Sequence, residues 1–407
     1  MNNKCRFCAT SIEPFMSFGK MPHASGFLDQ SEFDREYFYE LQPALCEGCK
    51  LFQIIDVPDP SKTFHLNYPH ITSTSQYVVN HFKELAQLVN ERYLKETNSF
   101  VIELGSNDGS FLKNFVEWKI KHLGIEPASS VAELGIKEGV NTITEFFSHE
   151  LAKKIQTRYG RANVVFGANV IAHIPDIRDV ANGIVELLKD EGVFIFEAVY
   201  LGDLISNTSY SQIYDEHVYN FSVESVKNIF SECGLELFNV ERLSLQGGSL
   251  RYFLGFSGKH EIQASVKSME ESENIKELNQ PETMTKFRTR CELSRSNLFD
   301  LIENLHDQGK RVVGYGAATK STIILNYARI KRFTIEYMVD STPYKQDKYS
   351  PGIHIPIKSP GYFRENFPDY VVVFPWNHFE EIRSKENAYS ESKGRWILPF
   401  LKPEIRS

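Results

Sequence analysis

Hydrophobic and polar positions in the middle of the chain follow the order helix, strand, turn and helix. Over residues 75–97 apolar side chains recur three and four positions apart, which predicts an amphipathic helix. The short and mostly apolar run at 100–104 predicts a buried parallel strand. A turn with two glycines occupies 105–109, and helical spacing resumes from Ser110. These stretches predict the first strand, turn and helix of an α/β domain.

Further strand-like runs follow this first unit. A second strand ends at Glu126, a third lies near Asn141, and the stretches "NVVF" and "GVFIFEAVY" predict a fourth and a fifth. The stretches "GLELFNVERLSL" and "SLRYFLGFS" predict a closing antiparallel pair. We therefore expect seven strands in this part of the chain.

A second unit of the same kind lies near the C-terminal end. Residues 264–309 are polar, with apolar residues at helical spacing near their end, which predicts linker helices. The stretch "KRVVGYGAATKSTIILNYA" predicts a strand, a glycine turn and a helix, and "FTIEYMVD" predicts a further strand that ends at Asp340. The turn lacks the third glycine of a dinucleotide fingerprint, but the helix N-terminus and Lys320 predict a site for an anion.

Composition and charge exclude some functions. The 407 residues carry a net charge of -8 without a dense run of Lys and Arg, which argues against non-specific nucleic-acid binding. No apolar stretch reaches the ~18 residues of a membrane span, and the start lacks the apolar core of a signal peptide. We therefore expect a cytoplasmic enzyme or binding protein of about two to four domains, with neither nucleic acid nor membrane as a partner.

The six cysteines divide into a group of four and two isolated residues. The group of four forms two Cys-x-x-Cys pairs: Cys5, Cys8, Cys46 and Cys49. In a cytosolic chain such pairs predict a tetrahedral zinc site, and a closed shell of four thiolates gives the zinc a structural role. The alternative is a chance pairing of buried thiols. The isolated Cys233 and Cys291 are expected to be core thiols.

The turn after the first predicted strand has the features of a nucleoside-binding loop. It reads Glu-x-Gly-x-x-x-Gly, and Glu126 follows as an acid that can accept hydrogen bonds from ribose hydroxyls. Asn107 stands where a dinucleotide fingerprint has glycine, and Glu103 suits a cationic ligand better than a pyrophosphate. These features favour S-adenosylmethionine and, with the seven strands, fit a class I methyltransferase sheet. Another nucleotide enzyme and a turn without a ligand remain the alternatives. The predicted cofactor-binding residues are Glu103, Gly105, Ser106, Asn107, Asp108, Gly109, Glu126 and Ala168.

Several motifs resemble, in order, those of the sugar C-methyltransferases that act on nucleotide-linked keto-deoxysugars and make branched deoxysugars. "ELGSNDGSFL" resembles the family's cofactor loop, and "ANVIAHI", "YDEHVYNFS" and "QGGSLR" resemble its middle motifs. "GYGAATKSTIILNY", "SPGIHIPI" and "PWN" resemble its C-terminal half, so the resemblance covers essentially the whole chain. It implies an α/β protein with a zinc-binding domain at 1–70, a class I methyltransferase core at 71–262, and a Rossmann-like domain with leading linker helices at 263–407 that holds the nucleotide-sugar.

The resemblance also implies the residues of the active site. The implied catalytic residues are Tyr68, Asn169, His173, Tyr214, Glu216 and His217. The implied substrate-binding residues are Gly316, Ala317, Ala318, Lys320, Arg251, Trp376 and Asn377. Two departures from the family pattern concern the sugar and nucleotide contacts. His70 stands where many relatives have an aromatic residue, and "GYGAATK" stands where "GYGAPAKG" is commoner.

We therefore expect methyl transfer to C3 of a nucleotide-linked 4-keto-deoxysugar. A neighbouring ketone makes the C–H proton removable, because the carbanion delocalises onto oxygen as an enolate. The site then needs a base, and donors for the oxyanion. His217 is the predicted base, since an unperturbed imidazole titrates at about pH 6.5, and Glu216 either orients it or binds a sugar hydroxyl. The residues expected to bind the keto oxygen or close the pocket are Tyr68, Asn169, His173 and Tyr214.

Plainer interpretations and other functions remain open. The alternatives are a solvated N-cap region for "YDEH", a core position for His173 and simple packing for Trp376. Other candidate functions are O- or N-methylation of a sugar, a nicotinamide-dependent sugar-nucleotide reductase that uses the C-terminal glycine turn, and a zinc-ribbon binding module. A monomer is favoured, and the sequence specifies neither the sugar, nor its base, nor the stereochemistry.

Overall fold

Four β-sheets organise the part of the chain that the computed structural model describes, which comprises residues 3–59, 71–399 and 401–407. The strands are β1 Lys20–Pro22, β2 Phe38–Glu40, β3 Pro43–Leu45, β4 Phe52–Ile54, β5 Phe100–Leu104, β6 Lys121–Ile125, β7 Thr142–Ile143, β8 Ala162–Ala168, β9 Leu188–Val199, β10 Tyr219–Asn220, β11 Leu235–Leu243, β12 Ser249–Phe256, β13 Val312–Tyr315, β14 Met338–Val339, β15 Ile357–Lys358, β16 Tyr370–Val373, β17 Arg395–Leu398 and β18 Glu404–Arg406. The α-helices are α1 Gln76–Tyr93, α2 Lys113–Glu117, α3 Ser129–Lys137, α4 His149–Tyr159, α5 Ile177–Leu187, α6 Leu201–Ser206, α7 Val223–Ser231, α8 Ala264–Ile275, α9 Pro281–Asp307, α10 Thr319–Tyr327, α11 Pro360–Glu365, α12 Phe379–Lys385 and α13 Asn387–Glu391.

The N-terminal lobe consists of short strands and two cysteine turns. β1 pairs with β2 and β3 pairs with β4, both antiparallel. The third strand of the β3–β4 sheet is β10, which comes from the middle of the chain and places Tyr219 opposite Gln53. The N–H of Ile54 also donates to the carbonyl of Val218 at 3.0 Å. Backbone hydrogen bonds therefore join this lobe to the central part of the chain.

The central sheet has seven strands in the order β11-β12-β9-β8-β5-β6-β7. Neighbouring strands from β9 to β7 are parallel, whereas β12 is antiparallel to both β9 and β11. This order and the closing antiparallel pair are those of a class I S-adenosylmethionine-dependent methyltransferase. The expected fold class and the seven predicted strands are therefore confirmed.

Two boundaries differ from the sequence prediction. α1 ends at Tyr93 instead of residue 97, because residues 95–98 are exposed and no packing holds them in a helix. Its start agrees with the pattern, since the hydroxyl of Ser75 accepts a hydrogen bond from the N–H of Val78. β9 begins before the predicted run, at Leu188, and continues across a shift in its register with β8.

A second, mostly parallel sheet forms the C-terminal part, in the order β15-β14-β13-β16-β17-β18. β13, α10 and β14 form the predicted βαβ unit, and β18 is an antiparallel edge strand. The predicted linker helices are α8 and α9. Pro281 opens α9, where a proline is tolerated because the first helical N–H has no partner in any case. Cys291 is buried on α9, and Cys233 is half-buried.

One hydrophobic core extends through all three parts of the chain. It includes Leu51 of the N-terminal lobe, Phe196 of the central sheet and Ile357 of the C-terminal sheet. Continuous contact between buried side chains fixes the outer parts against the central sheet. The domain boundaries at 70/71 and 262/263 stay predictions. Among the helices of the described residues, none has the length and apolar character to cross a membrane.

Candidate active site

A cavity of about 900 Å³ lies at the carboxyl ends of β5, β6 and β8, where parallel α/β sheets bind their ligands. The predicted residues that line it are Glu103, Gly105, Ser106, Asn107, Glu126, Ala168, Asn169, His173, Tyr214, Glu216 and His217. The C-terminal part adds Thr319, Thr342 and Lys345 to the wall. The predicted cofactor-binding and catalytic residues that the structure describes thus meet largely in one space.

The turn at 105–109 approaches the cavity because Gly105 and Asn107 adopt positive φ. At Gly105 φ is 65°, and an added Cβ would lie 2.9 Å from the side chain of Val170, so the position requires glycine. At Asn107 φ is 49°, a conformation that asparagine tolerates. The side-chain oxygen of Asn107 accepts hydrogen bonds from the N–H and the hydroxyl of Thr72, at 2.9 and 3.0 Å. These contacts fix the turn to the segment before α1.

Three carboxyl groups gather at this turn: Glu103, Asp108 and Glu126. Glu103 is 3% exposed, and its Oε2 has no hydrogen-bond partner among the described residues. Burial, with the two neighbouring acids, raises the pKa of Glu103 well above its usual value. Burial also raises the pKa of Glu126, although the N–H groups of Ala128 and Asn107 donate to it at 2.8 and 2.9 Å. A buried carboxyl group without a partner fits the ammonium and sulfonium of S-adenosylmethionine, and Glu126 fits the ribose hydroxyls.

Two predicted cofactor-binding residues support the turn from outside the cavity wall. Asp108 accepts hydrogen bonds from the N–H of Ser73 at 2.8 Å and from the hydroxyl of Ser110 at 2.7 Å. Gly109 has φ 76°, and an added Cβ would lie 2.7 Å from the side chain of Val140. Their contacts hold the loop in shape, and neither residue lines the cavity.

His217 is buried, and both of its ring nitrogens have partners. Nδ1 lies 2.8 Å from the carbonyl oxygen of Gln212, and Nε2 lies 2.8 Å from the hydroxyl of Tyr214. Because a carbonyl only accepts, Nδ1 carries the proton, and in the neutral ring Nε2 accepts from Tyr214. The ring of His173 stacks on that of His217, with centroids 5.3 Å apart. The backbone thus selects the tautomer that leaves a lone pair on Nε2.

Burial also determines the protonation of these groups. It lowers the pKa of His217 to about 4, and the positive charge of Lys320 acts in the same direction. It raises the pKa of Tyr214 well above its usual value, and neighbouring carboxylates add to the effect. It lowers the pKa of Lys320 to about 8. At neutral pH the imidazole is therefore neutral and the phenol keeps its proton.

The N-terminal lobe holds the segment that carries His217. Nδ1 of His23 lies 2.8 Å from Oδ2 of Asp215, and Glu216 accepts a hydrogen bond from the hydroxyl of Ser25 at 3.1 Å. Asp215, Glu216 and His217 are each at most 5% exposed. The alternative of a solvated N-cap region does not hold for this segment.

The four predicted zinc ligands converge in the N-terminal lobe: Cys5, Cys8, Cys46 and Cys49. Their sulfur atoms all lie within 4.8 Å of one another, and the two shortest S···S distances are 3.4 and 3.5 Å. Thiolates that share a zinc ion with Zn–S bonds of ~2.3 Å lie about 3.8 Å apart. The residue after each Cys-x-x-Cys pair, Ala9 or Lys50, has φ near 60°, so both turns have the same shape. Four thiolates would fill the tetrahedral shell of a zinc ion and leave no position for water or substrate, which would give the ion a structural role.

Sequence reasoning missed part of the cavity wall. Thr342 and Lys345 follow β14, and Nζ of Lys345 donates to the carbonyl of Ala317 at 2.8 Å and lies 3.4 Å from the carboxylate of Asp340. Phe146 follows β7 at the cofactor end, where a flat apolar side chain suits a purine ring. The rule that ligands bind beyond the carboxyl ends of parallel strands was the signal that could have identified these residues.

Most of the predicted substrate-binding residues lie outside the cavity wall: Gly316, Ala317, Ala318, Lys320, Arg251 and Trp376. Arg251 forms ion pairs with Glu197 at 2.7 Å and Glu241 at 2.9 Å, which neutralise its charge within the protein. The predicted catalytic Tyr68 and the side chain of Asn377 lie outside the described residues.

The strand order of the central sheet, its acid-lined turn and the adjoining cavity define a class I S-adenosylmethionine-dependent methyltransferase. Comparison with protein families matches residues 5–64 to a zinc binding domain, 77–240 to a methyltransferase domain and 244–400 to the C-methyltransferase C-terminal domain. The C-methyltransferase NovU of Streptomyces niveus is 32% identical over 408 residues, a match that covers 100% of this chain and 97% of that protein. The chain belongs to this family of S-adenosylmethionine-dependent C-methyltransferases.

Solved structures match a smaller share of the chain. A SAM-dependent methyltransferase from Anabaena variabilis is 16% identical with a TM-score of 0.34, and the match covers 42% of this chain and 83% of that chain. The CcbJ methyltransferase from Streptomyces caelestis is 12% identical with a TM-score of 0.34, and the match covers 44% of this chain and 90% of that chain. Both matches leave more than half of this chain without a counterpart.

Proposed function

We propose that the protein methylates C3 of a nucleotide-linked 4-keto-deoxysugar through an enolate, in the biosynthesis of a branched deoxysugar. The observation that carries the proposal is the buried imidazole of His217, whose Nδ1 donates to the carbonyl of Gln212 and which shares one cavity with the acid-lined turn of the cofactor site. The similarity to the C-methyltransferase NovU supports carbon over oxygen or nitrogen as the methyl acceptor.

His217 is the base in this proposal. S-adenosylmethionine, when bound at the turn, supplies an electrophilic methyl group. Nε2 of His217 accepts the proton from the carbon beside the ketone, and the fixed Nδ1–H bond to Gln212 stabilises the imidazolium that results. The hydroxyl of Tyr214, which occupies Nε2 in the free site, turns toward the keto oxygen and donates to it as negative charge develops. His173 and Asn169, also in the wall, complete the pocket around the ketone.

Glu216 binds the sugar in this proposal. The sequence left two roles open, orienting the imidazole or accepting a sugar hydroxyl. Gln212 and Tyr214 already occupy the two nitrogens of His217, which favours the second role. The nucleotide extends toward Thr342 and Lys345, where the lysine supplies a positive charge for the diphosphate.

The test is methyl transfer from labelled S-adenosylmethionine to a panel of keto-sugar nucleotides with different bases. We expect label on one sugar, at C3 by NMR, and exchange of that C–H proton with deuterium in the absence of S-adenosylmethionine. Both C3 and C5 flank a C4 ketone, so label at C5 would correct the position and keep the enolate. Label on oxygen or nitrogen without exchange would replace the proposal by O- or N-methylation. No label on any sugar, together with no binding of S-adenosylmethionine, would defeat it.

His217→Ala tests the base directly. We expect S-adenosylmethionine affinity to be unchanged and turnover to fall by about 10²–10⁴-fold, the usual contribution of a general base. His306→Ala is the matched control, because His306 is half-exposed on α9 and does not line the cavity. Near-normal turnover of His217→Ala would remove His217 as the base.

A further inference from the structure

The turn at 214–217 has one face toward the cavity and one toward the loop at 23–25 of the N-terminal lobe. Three of its four residues line the cavity, and the fourth, Asp215, does not. The side chain of Asp215 is 1% exposed. Its Oδ2 lies 2.8 Å from Nδ1 of His23, and its Oδ1 accepts a hydrogen bond from the N–H of Ala24 at 3.2 Å. The N-terminal lobe therefore binds both oxygens of this buried carboxylate.

The ring of His23 serves this one contact. Because a carboxylate only accepts hydrogen bonds, Nδ1 of His23 is the donor to Asp215. Nε2 of the same ring is buried and has no hydrogen-bond partner among the described residues. The ring stacks on that of Tyr37, with centroids 5.2 Å apart, which fixes its plane. The imidazole is thus held with its donor directed at the turn.

The contacts of His217 fix its ring within its own segment but not relative to the cofactor turn. The N–H of His217 donates to the carbonyl of Tyr214 at 3.0 Å, and its ring nitrogens contact Tyr214 and Gln212. All of these contacts are local, so they move together with the segment. Its position relative to the cofactor turn depends on contacts from outside the segment. The contact between His23 and Asp215, at 2.8 Å, is the shortest of the three hydrogen bonds from the loop at 23–25, since the other two measure 3.1 and 3.2 Å.

We propose that His23 is a positioning residue for methyl transfer, which acts through Asp215 to hold the turn at 214–217 at the correct distance from the cofactor turn. A buried carboxylate that loses its donor is costly, and the turn relieves the cost by moving toward water. Small displacements of a catalytic group reduce rates strongly. The role of His217 as the base rests on the proposed function, whereas the contact between His23 and the turn rests on geometry.

Two substitutions of His23 in the full-length protein test the proposal. His23→Leu keeps apolar bulk but removes the donor, and His23→Asn places an amide nitrogen where histidine has Nδ1. We expect His23→Leu to lower kcat, and the rate of deuterium exchange at the carbon beside the ketone, by about ten- to a hundredfold. Zinc content and the affinity for S-adenosylmethionine should not change. His23→Asn should restore both rates to within about threefold of the wild type.

A double substitution tests whether His23 acts through Asp215. Asp215→Ala removes the acceptor, so the addition of His23→Leu should then lower kcat by less than about a further twofold. A loss in the double variant equal to the product of the two single losses would show that His23 acts elsewhere. Wild-type turnover in His23→Leu, or a loss that His23→Asn does not restore, would also overturn the inference.

A titration of His217 tests the proposal without a substrate. In protein labelled with ¹⁵N-histidine, its NMR signal is assigned by its absence from His217→Ala. We expect a midpoint near the pKa of about 4 that burial gives His217 in the wild type, and the same in His23→Asn. In His23→Leu, access of water to the displaced ring should raise the midpoint toward the ordinary value of about 6.5. The titratable neighbours of this ring are the same in all three proteins: His173, Tyr214, Glu216 and Lys320.

The titration separates this inference from the proposed function. If the wild type methylates no keto-sugar, the proposed function fails and the titration alone decides the inference. A midpoint raised in His23→Leu and restored in His23→Asn then supports it, and equal midpoints in all three proteins overturn it. If the wild type methylates a keto-sugar at the expected carbon and His23→Leu does so equally well, the inference alone is removed.

Discussion

His217 and Glu103 are buried in the same cavity, and burial favours the neutral form of each. It lowers the pKa of His217 to about 4 and raises that of Glu103 well above its usual value. The cause is common to both, because a charged group loses its solvation when it leaves water. Before its ligands bind, the cavity therefore carries less charge than its residues suggest. A cationic cofactor bound beside Glu103 would favour the charged form of that group.

The pH dependence of methyl transfer should reflect the pKa of His217. Only the neutral imidazole has a lone pair for the proton, so kcat/KM rises with pH through that pKa. With the pKa at about 4, we expect activity to persist well below the value of about 6.5 at which an ordinary histidine becomes protonated. The measurement is kcat/KM against pH, and Lys320→Met, which removes a nearby positive charge, should move the acid limb to higher pH.

Melting curves must be measured alongside these rates, because the lowered pKa of His217 also makes the stability of the fold depend on pH. Between the folded and unfolded pKa values the unfolded chain binds more protons, so stability falls as pH drops below about 6.5. Rates are therefore interpreted only where the protein remains folded. An acid limb near the ordinary histidine pKa in the folded enzyme would contradict the assignment of a neutral, buried base.

Glu103→Gln should change stability and cofactor affinity in opposite directions. The raised pKa of Glu103 means that its ionised form destabilises the ligand-free protein at pH above the unfolded value, so removing the ionisation should raise the melting temperature. The same change removes a charged partner for the cofactor, and we expect S-adenosylmethionine to bind at least about tenfold more weakly. Calorimetry measures both quantities, with Glu133→Gln on the exposed face of α3 as control. A lower melting temperature with unchanged affinity would show that Glu103 has a purely structural role.

The sequence identifies the chemical groups of the site more readily than the contacts that set their roles. His217 and its partners Gln212 and Tyr214 lie within six residues, so one motif contains the imidazole, the phenol and the backbone carbonyl that bond to one another. Ser25 reaches Glu216 across 191 residues, and a contact at that separation leaves no local pattern. The proposed sugar-binding role of Glu216 therefore rests on contacts that only the folded molecule shows.

At the scale of elements, a strand can be predicted from the sequence when its own residues form a dense apolar run. It cannot be predicted when its extended shape depends on pairing with a distant strand. All five residues of β5 are buried, and the hydrophobic pattern alone identified it. β10 has two residues, and its extended shape depends on pairing with β4 of a different lobe. The predicted strand "FTIEYMVD" is reduced to Met338–Val339, where it pairs with β13 and β15.

The two Cys-x-x-Cys turns also act at the scale of elements, because they stabilise the β3–β4 sheet to which β10 is added. We expect Cys46→Ser to lower the melting temperature and reduce kcat at least about tenfold, since loss of the metal loosens β4 and with it the segment of His217. Affinity for S-adenosylmethionine should change little, because the cofactor turn follows β5, which belongs to a different sheet from β10. Melting, zinc content, kcat and cofactor affinity are measured on the same preparations.

Cys233→Ser is the matched control for this prediction, because Cys233 is half-buried and lies outside the cysteine cluster. It should keep its zinc and most of its turnover. If Cys46→Ser loses zinc but keeps the wild-type kcat, the lobe has no part in positioning His217.

At the scale of the whole molecule, the N-terminal lobe sets the distance between the two ends of the cavity. His23 of the lobe contacts Asp215 of the central part. Glu36 of the lobe contacts the C-terminal part, where its carboxylate lies 2.7 Å from Nε2 of His354. Phe33 stacks on the same histidine with ring centroids 3.7 Å apart. Because both contacts come from one lobe, the cavity walls of the central part and of the C-terminal part are held in a fixed relation, which in-line transfer of a methyl group requires.

A substitution of Lys345 tests whether the C-terminal part binds the nucleotide-sugar. Its side chain lines the cavity, is 12% exposed, and lies over the ring of Phe27 at 4.9 Å. We expect Lys345→Met to raise KM for the nucleotide-sugar by about ten- to a hundredfold, the effect of one lost charged hydrogen bond, without changing the affinity for S-adenosylmethionine. Lys348→Met is the matched control, because Lys348 lies on the same loop and outside the cavity wall. Equal KM values for the two variants would mean that the diphosphate is held elsewhere, and a parallel loss of S-adenosylmethionine affinity would mean that Lys345 supports the cavity as a whole and not its nucleotide end.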